Sequence, residues 1–258
     1  IFSHLLVGAE GTLAFIANVT LKTIPDPPEK GTGLLLFNSP ESAGNFVPFF
    51  KSMGASAIEF LDDESLRTAQ HFENPPYDPK RVEDDVTGLL IEYQDNSKNE
   101  IDRLIKESKE FSQKESSVIS MKLVTDQQDR ETIWKIRKSL YPTLGSLRKT
   151  GRSIITEDFA VDTENLAQAI HGLKNIFHKR EFKDGVIFGH AKDGNLHFIT
   201  SVNLDDKIGV QNYEGMMRDL SDMTLTQFNG SLKAEHGTGR NMAAFVEKEW
   251  GGTLYEIM

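Results

Sequence analysis

Asp193-Gly194, set between two runs that alternate apolar and polar residues, restricts the folding of this chain more than any other feature. In Phe188-Gly189-His190-Ala191-Lys192-Asp193-Gly194-Asn195-Leu196-His197-Phe198 it predicts a two-residue type I′ turn closing an antiparallel hairpin. That register pairs Lys192 with Asn195, Ala191 with Leu196 and His190 with His197. The two imidazoles then stand on one face with Cβ atoms about 4.5–5.5 Å apart. Period-2 alternation adds Asn195 to the same face. The pair is either a bite for one divalent metal or a cross-strand His pair on a half-buried sheet with no ligand.

Around this hairpin, short β-like runs alternate with amphipathic helices. Strands are expected at Leu34–Phe37, Ala57–Leu61, Gly88–Tyr93, Val118–Val124 and Ile154–Val161, with a short one at Ser231–Ala234. Leu13–Leu21 also has strand character. Ser39 caps a helix that begins at Pro40 and carries the stripe Ala43, Phe46, Val47 and Phe50, with Pro48 inside it. Ser97-x-x-Glu100 reads as a capping box. Arg130–Leu140 and Tyr213–Phe228 read as helices. Asp162 caps another, with the apolar face Leu166, Ala169, Ile170, Leu173, Ile176 and Phe177. Asn74–Pro79 reads as an irregular loop. Pro25-Asp26-Pro27-Pro28 continues neither a helix nor a central strand and marks a domain boundary. Most strands are amphipathic, which suits a sheet covered mainly on one face. The expected fold is α+β: a largely antiparallel sheet in ferredoxin-like halves, with helices packed mainly on one face.

Composition narrows the chemistry. The 258 residues carry a net charge of −10, which argues against a nucleic-acid partner. No apolar run approaches the roughly 20 residues of a membrane span. Zero cysteines exclude disulfides, thiolate nucleophiles and cysteine-held clusters within this stretch. Any metal site here must use His, Asp or Glu. The chain opens with Ile1 inside an apolar segment with no signal-peptide features, and it reads as a piece of a longer polypeptide.

A second constellation is Lys233-Ala234-Glu235-His236-Gly237-Thr238-Gly239-Arg240. Two His and one carboxylate leave open metal positions, as catalytic sites do. On a regular strand Glu235 and His236 face opposite ways, so both reach one site only if the strand ends there, which the glycines permit. The alternative is a charged strand end followed by a loop. His4, His71, His171 and His178 have no such context and read as surface or satisfied residues. Arg137, Arg148, Lys149, Arg152 and Arg240 are candidate anion holders or solvated charges. Gly8-Ala9-Glu10-Gly11-Thr12 lets backbone approach a ligand closely, as surface turns also do. No dinucleotide-binding glycine motif follows a strand.

Together these segments resemble the FAD-linked oxidase and dehydrogenase family of the vanillyl-alcohol-oxidase type. Leu6–Leu13 is similar to the end of its FAD-binding domain. Glu157–Val161, Gly189–His197 and Ala234–Gly239 are similar to successive motifs of its C-terminal substrate domain. The tail Gly239–Glu247 is similar to the long members with a downstream iron–sulfur module, whose expected substrates are D-2-hydroxyglutarate and D-lactate. The resemblance implies that residues 1–25 end the FAD-binding domain and 26–258 form the substrate domain, truncated at its C-terminus. It further implies that His190, His197 and Glu235 hold a divalent metal, with zinc first choice, and that His236 is the base. Asn195 and Arg137 would orient a small anionic hydroxy acid, while Gly8, Glu10, Gly11 and Thr12 would adjoin the FAD. Where glutarate-specific relatives place a Lys, this chain has Thr156, so Arg148, Lys149 or Arg152 are candidates for a distal carboxylate. The electron acceptor would be a quinone or an electron-transfer protein. The location would be cytoplasmic, or peripheral to a membrane in the full-length parent. Residues 1–258 alone are expected to bind FAD poorly and to be inactive. The rival readings are a metal-dependent hydrolase and a non-enzymatic metal-stabilised binding domain.

Overall fold

The computed structural model describes residues 2–69 and 75–257. Among the described residues seven strands form one sheet: β1 (Glu29–Phe37), β2 (Ala57–Leu61), β3 (Thr87–Asp95), β4 (Val118–Val124), β5 (Ser153–Ala160), β6 (Val186–His190) and β7 (Asn195–Val202). Their order is β4-β1-β3-β2-β6-β7-β5, and every neighbouring pair is antiparallel. The helices are α1 (Phe2–Leu6), α2 (Pro40–Ser52), α3 (Asp63–Ala69), α4 (Lys98–Ser112), α5 (Gln127–Leu147), α6 (Leu166–Lys179), α7 (Lys207–Asp222), α8 (Gly239–Met242), α9 (Val246–Trp250) and α10 (Gly252–Ile257). His71 and Asn74 lie outside the described residues.

The connectivity gives two split βαβ halves. Strands β1 to β4 make the first, ordered 4-1-3-2, and β5 to β7 the second. They meet where β2 pairs with β6. On one face, Phe46 and Phe50 of α2, Ile101 of α4, Leu173 of α6 and Met216 of α7 cover Phe37, Phe60, Ile91 and Phe198. On the other, Leu66 of α3 and Ile133, Ile136 and Leu140 of α5 cover Leu34, Leu36, Leu90 and Phe188. Helices therefore lie mainly on one face, as expected, and the second face is covered by α3 and α5.

Local signals hold where the partner is close in sequence. Ser39 Oγ accepts from the Ser42 N–H at 3.2 Å, and Pro48 sits inside α2. The buried face of α6 is the apolar stripe read from the sequence. Elsewhere tertiary context decides. Residues 14–27 carry no strand or helix, and Phe15, Val19 and Leu21 are exposed. A strand exists only through a ladder partner, and neither edge of the sheet, β4 or β5, receives this segment. The Ser97 side chain makes no cap bond; its N–H donates to Asp95 Oδ1 at 2.7 Å, while Arg103 engages the Glu100 carboxylate. Asp162 likewise makes no side-chain cap bond.

Asp62 shows the cost of a buried carboxyl. It is 2% exposed and accepts from the Ser65 N–H at 2.8 Å. Burial, opposed by Ser65 and reinforced by Asp63, pushes its pKa up from 3.8 to about 7. Folding therefore favours the protonated acid, a contribution present below about pH 4 and lost as pH rises through about 7. Asp62→Asn mimics the protonated form and keeps the acceptor. Its melting temperature is expected to match wild type at pH 4. At pH 8 it should exceed wild type by up to about 4 kcal/mol, or roughly 10 °C. Thermal melts at both pH values check this, and a gain at pH 4 as large as at pH 8 contradicts it.

Candidate active site

The site grows from the seam between the halves. Glu59 of β2 stands opposite His190, the last residue of β6. His190 stands opposite Asn195 of β7, and Phe188 opposite His197. His197 in turn faces Asp158 of β5. Strand alternation puts Glu59, His190, Asn195, His197 and Asp158 on the face covered by α3 and α5.

The hairpin register differs from the expected one by two residues. Ala191–Asp193 form a 3₁₀ turn closed by Gly194 at φ 69°, so four residues connect the strands instead of two. Val161 N–H donates to the Gly194 carbonyl at 3.0 Å, and a Cβ on Gly194 would lie 1.9 Å from the Val161 carbonyl oxygen. This long-range contact, rather than the Asp-Gly dipeptide, sets the turn. A slip of two residues keeps every side chain on its face. His190 and His197 are therefore diagonal neighbours, with ring centroids 5.1 Å apart.

Asp158 brings in the second constellation. It is 1% exposed. Its Oδ1 accepts from the Ala234 N–H at 3.3 Å, and its Oδ2 from those of Glu235 and His236 at 2.6 and 3.2 Å. Three consecutive N–H groups converging on one carboxylate require a curled backbone, not an extended strand. The expected strand at Ser231–Ala234 accordingly shrinks to a single bridge between Ser231 and Ala160, and Gly237 takes φ 73°. The curl lets Glu235 and His236 serve one site. Glu235 Oε1 lies 3.2 Å from both His190 Nε2 and His197 Nε2, and 3.9 Å from His236 Nε2. The His236 ring stacks on His197 at 4.7 Å and remains open to solvent.

These donors suit a divalent cation. The ligand atoms of His190, His197 and Glu235 lie within 4.8 Å of one another. Two zinc bonds of about 2.1 Å at a tetrahedral angle separate their donor atoms by roughly 3.4 Å, close to the two 3.2 Å separations. His197 is 1% exposed, yet neither ring nitrogen has a hydrogen-bond partner among the described residues, a state that costs about 1–3 kcal/mol unless something binds there. Burial, aided by the charges of Arg137, His236 and His190, pushes its pKa down to about 3, which leaves its lone pair free for a metal. Asp158, His197 and His236 also cluster, but the Asp158 oxygens are committed to backbone N–H groups.

Arg137 of α5 donates from Nε to Glu59 Oε2 at 2.9 Å, and its guanidinium lies over Phe188, 4.3 Å from the ring centroid. The outer guanidinium nitrogens make none of the hydrogen bonds seen among the described residues. Asn195 is 7% exposed, and its Oδ1 has no partner among the described residues. Arg148, Lys149 and Arg152 do not join them. Arg152 donates to Ser201 Oγ at 2.7 Å, and Arg148 donates to the Arg152 carbonyl. Ser153 is five residues from Asp158 along β5, about 17 Å of strand. The cationic run is therefore separate from the site.

The turn bearing Gly8, Gly11 and Thr12 docks onto the same loop through Glu10, whose Oε1 accepts from the Thr238 N–H at 2.7 Å and from Lys233 Nζ at 3.0 Å. Burial opposes ionisation of Glu10, but Thr238 and Lys233 outweigh it and lower its pKa. His4 and His178 are exposed, and His171 Nε2 meets Glu41 at 2.5 Å. Sequence reasoning missed Glu59 and gave Asp158 no role. The signal for Glu59 was one acid inside Ala57-Ile58-Glu59-Phe60-Leu61, an otherwise apolar strand.

Residues 26–258 match the family model for the C-terminal domain of FAD linked oxidases. A D-lactate dehydrogenase of Anaerostipes hadrus is 25% identical over 260 residues, covering 99% of this chain and 54% of that protein. A D-2-hydroxyglutarate dehydrogenase of Haemophilus influenzae is 28% identical over 251 residues, covering 92% of this chain and 24% of that one. The solved alkyldihydroxyacetonephosphate synthase superposes with a TM-score of 0.60 at 17% identity, over 90% of this chain and 45% of that one, a likeness of fold. The chain thus spans about half or less of the length of these relatives.

Proposed function

We propose, since this chain belongs to the FAD-linked oxidase family through its C-terminal domain, that it is the substrate half of a flavin-dependent D-2-hydroxy-acid dehydrogenase. Residues 1–25 would complete the flavin domain, with the Gly8–Thr12 turn against the FAD, and residues 26–258 would bind substrate. The observation that carries this reading is the convergence of His190, His197 and Glu235 beside a solvent-accessible His236. The similarity to D-lactate and D-2-hydroxyglutarate dehydrogenases supports the substrate class, and family membership speaks against a flavin-free hydrolase.

His190, His197 and Glu235 would hold a divalent metal, zinc being the best match to the donor set. When bound, FAD supplies the acceptor for the hydrogen at C2 and the metal supplies Lewis-acid stabilisation of the 2-oxygen. This chain's residues do the rest. The outer edge of Arg137 receives the substrate carboxylate as a bidentate partner. Asn195 offers its side-chain amide to the hydroxy acid. His236 Nε2 accepts the hydroxyl proton as general base. Any iron–sulfur cluster would need ligands from outside this stretch, which has zero cysteines.

The test is flavin bleaching in the full-length enzyme with D-lactate and D-2-hydroxyglutarate; no bleaching with either defeats the proposal. Metal uptake gives a second test. The hydrogen bond with Glu59, opposed by burial and reinforced by Glu235, raises the pKa of His190, whereas His197 is already neutral. Zinc binding near neutral pH is therefore expected to expel up to about one proton, from His190, and affinity should fall on acidification. Calorimetric zinc titrations in buffers of different ionisation enthalpy count the protons, and an affinity that rises toward pH 5 contradicts the assignment.

A further inference from the structure

We infer that Glu59 is a positioning residue that ties the metal ligand His190 to the substrate-binding Arg137; this rests on the reading above. Its side chain is 6% exposed, and its two oxygens are divided between the two partners. Oε1 meets His190 Nδ1 at 2.7 Å, and Oε2 accepts from Arg137 Nε at 2.9 Å. The backbone enforces the arrangement, because Glu59 and His190 are directly paired residues at the seam between the halves.

The chemistry follows from what a carboxylate paired with a guanidinium does, which is to accept. With a metal bound, His190 must then carry its proton on Nδ1, which turns its Nε2 lone pair to the space it shares with Glu235 Oε1, 3.2 Å away. A ligand histidine held in this way has its tautomer and ring orientation fixed. The same carboxylate holds Arg137 by Nε alone, so both outer nitrogens of the fork stay available for a bidentate substrate carboxylate. Packing of the guanidinium over Phe188 fixes its plane. One buried anion thus sets the direction of a metal ligand and of an anion receptor together. A glutamine in its place satisfies only one of them, because its amide accepts on one side and donates on the other.

Glu59→Gln in the full-length enzyme tests this, read by zinc competition against a chromogenic chelator and by steady-state kinetics. The 2-hydroxy acid is whichever of D-lactate and D-2-hydroxyglutarate bleaches the flavin. Zinc affinity is expected to fall by about 10–100-fold, and KM to rise about tenfold or more, with a smaller change in kcat. A merely structural glutamate lowers the melting temperature while leaving the zinc affinity of the folded protein and KM unchanged, and that result overturns the inference. Wild-type enzyme that takes up no zinc overturns both this inference and the site reading, whereas equal zinc binding by wild type and E59Q overturns this inference alone. Should E59Q not fold, the imidazole ¹⁵N shifts of zinc-loaded wild type decide: a proton on His190 Nδ1 supports the assignment, and one on Nε2 refutes it.

Discussion

His236→Ala, made in the full-length enzyme, is expected to lower kcat by about 10²–10⁴-fold while leaving zinc content and substrate affinity near wild type. The expectation follows from position. His236 Nε2 lies 3.9 Å from the Glu235 carboxylate oxygen that both other histidines approach to 3.2 Å, so it stands beside the donor cluster rather than in it. Its ring stacks on His197, and its backbone is held by Asp158. Removing the ring would leave the proposed anion receptor and metal donors in place and take away the proposed proton acceptor. Turnover at the wild-type rate refutes the assignment. Loss of zinc along with activity moves His236 into the ligand set and favours the alternative cluster with Asp158 and His197.

Asp158→Ala is expected to be the most damaging substitution for folding at the site. It strands the N–H groups of Ala234, Glu235 and His236, all now bonded to one buried carboxylate. Charge-assisted bonds contribute about 1.5–3 kcal/mol each, and three sharing one acceptor are not additive, so a loss of roughly 3–5 kcal/mol is expected. This amounts to about 10 °C or more in melting temperature. Zinc affinity should fall with it, because the curl that turns Glu235 inward loses its anchor. A melting temperature within about 2 °C of wild type, with zinc binding retained, rules out the clamp.

The sequence was most legible where a side chain's neighbours lie within a few residues. The stripe Leu166, Ala169, Ile170, Leu173, Ile176 and Phe177 needs only the helical period, and it is the buried face of α6. Ser39 needs only Ser42. The face shared by His190, Asn195 and His197 survived a wrong turn type because alternation is indifferent to a slip of two. What could not be read was pairing. Leu13–Leu21 has strand composition but no ladder partner among the described residues. Ser231–Ala234 makes one bridge where a full strand was expected. Glu59 meets His190 across 131 positions, a distance at which periodicity carries no information. The same limit hid the role of Asp158, whose partners lie 76 to 78 residues away.

Because Glu59 sits on the last strand of one half-sheet and His190 on the first to meet it from the other, neither half owns the whole of the proposed reaction centre. On that reading the junction would act as a checkpoint on assembly. A polypeptide that has folded each lobe but not zipped β2 to β6 has the parts of the chemistry without their alignment. Amide exchange at Phe60 and Gly189, paired across that seam, should therefore report competence more faithfully than any probe of the lobes, and a protein severed between β4 and β5 should regain full zinc affinity and substrate binding only in step with re-docking of its two pieces.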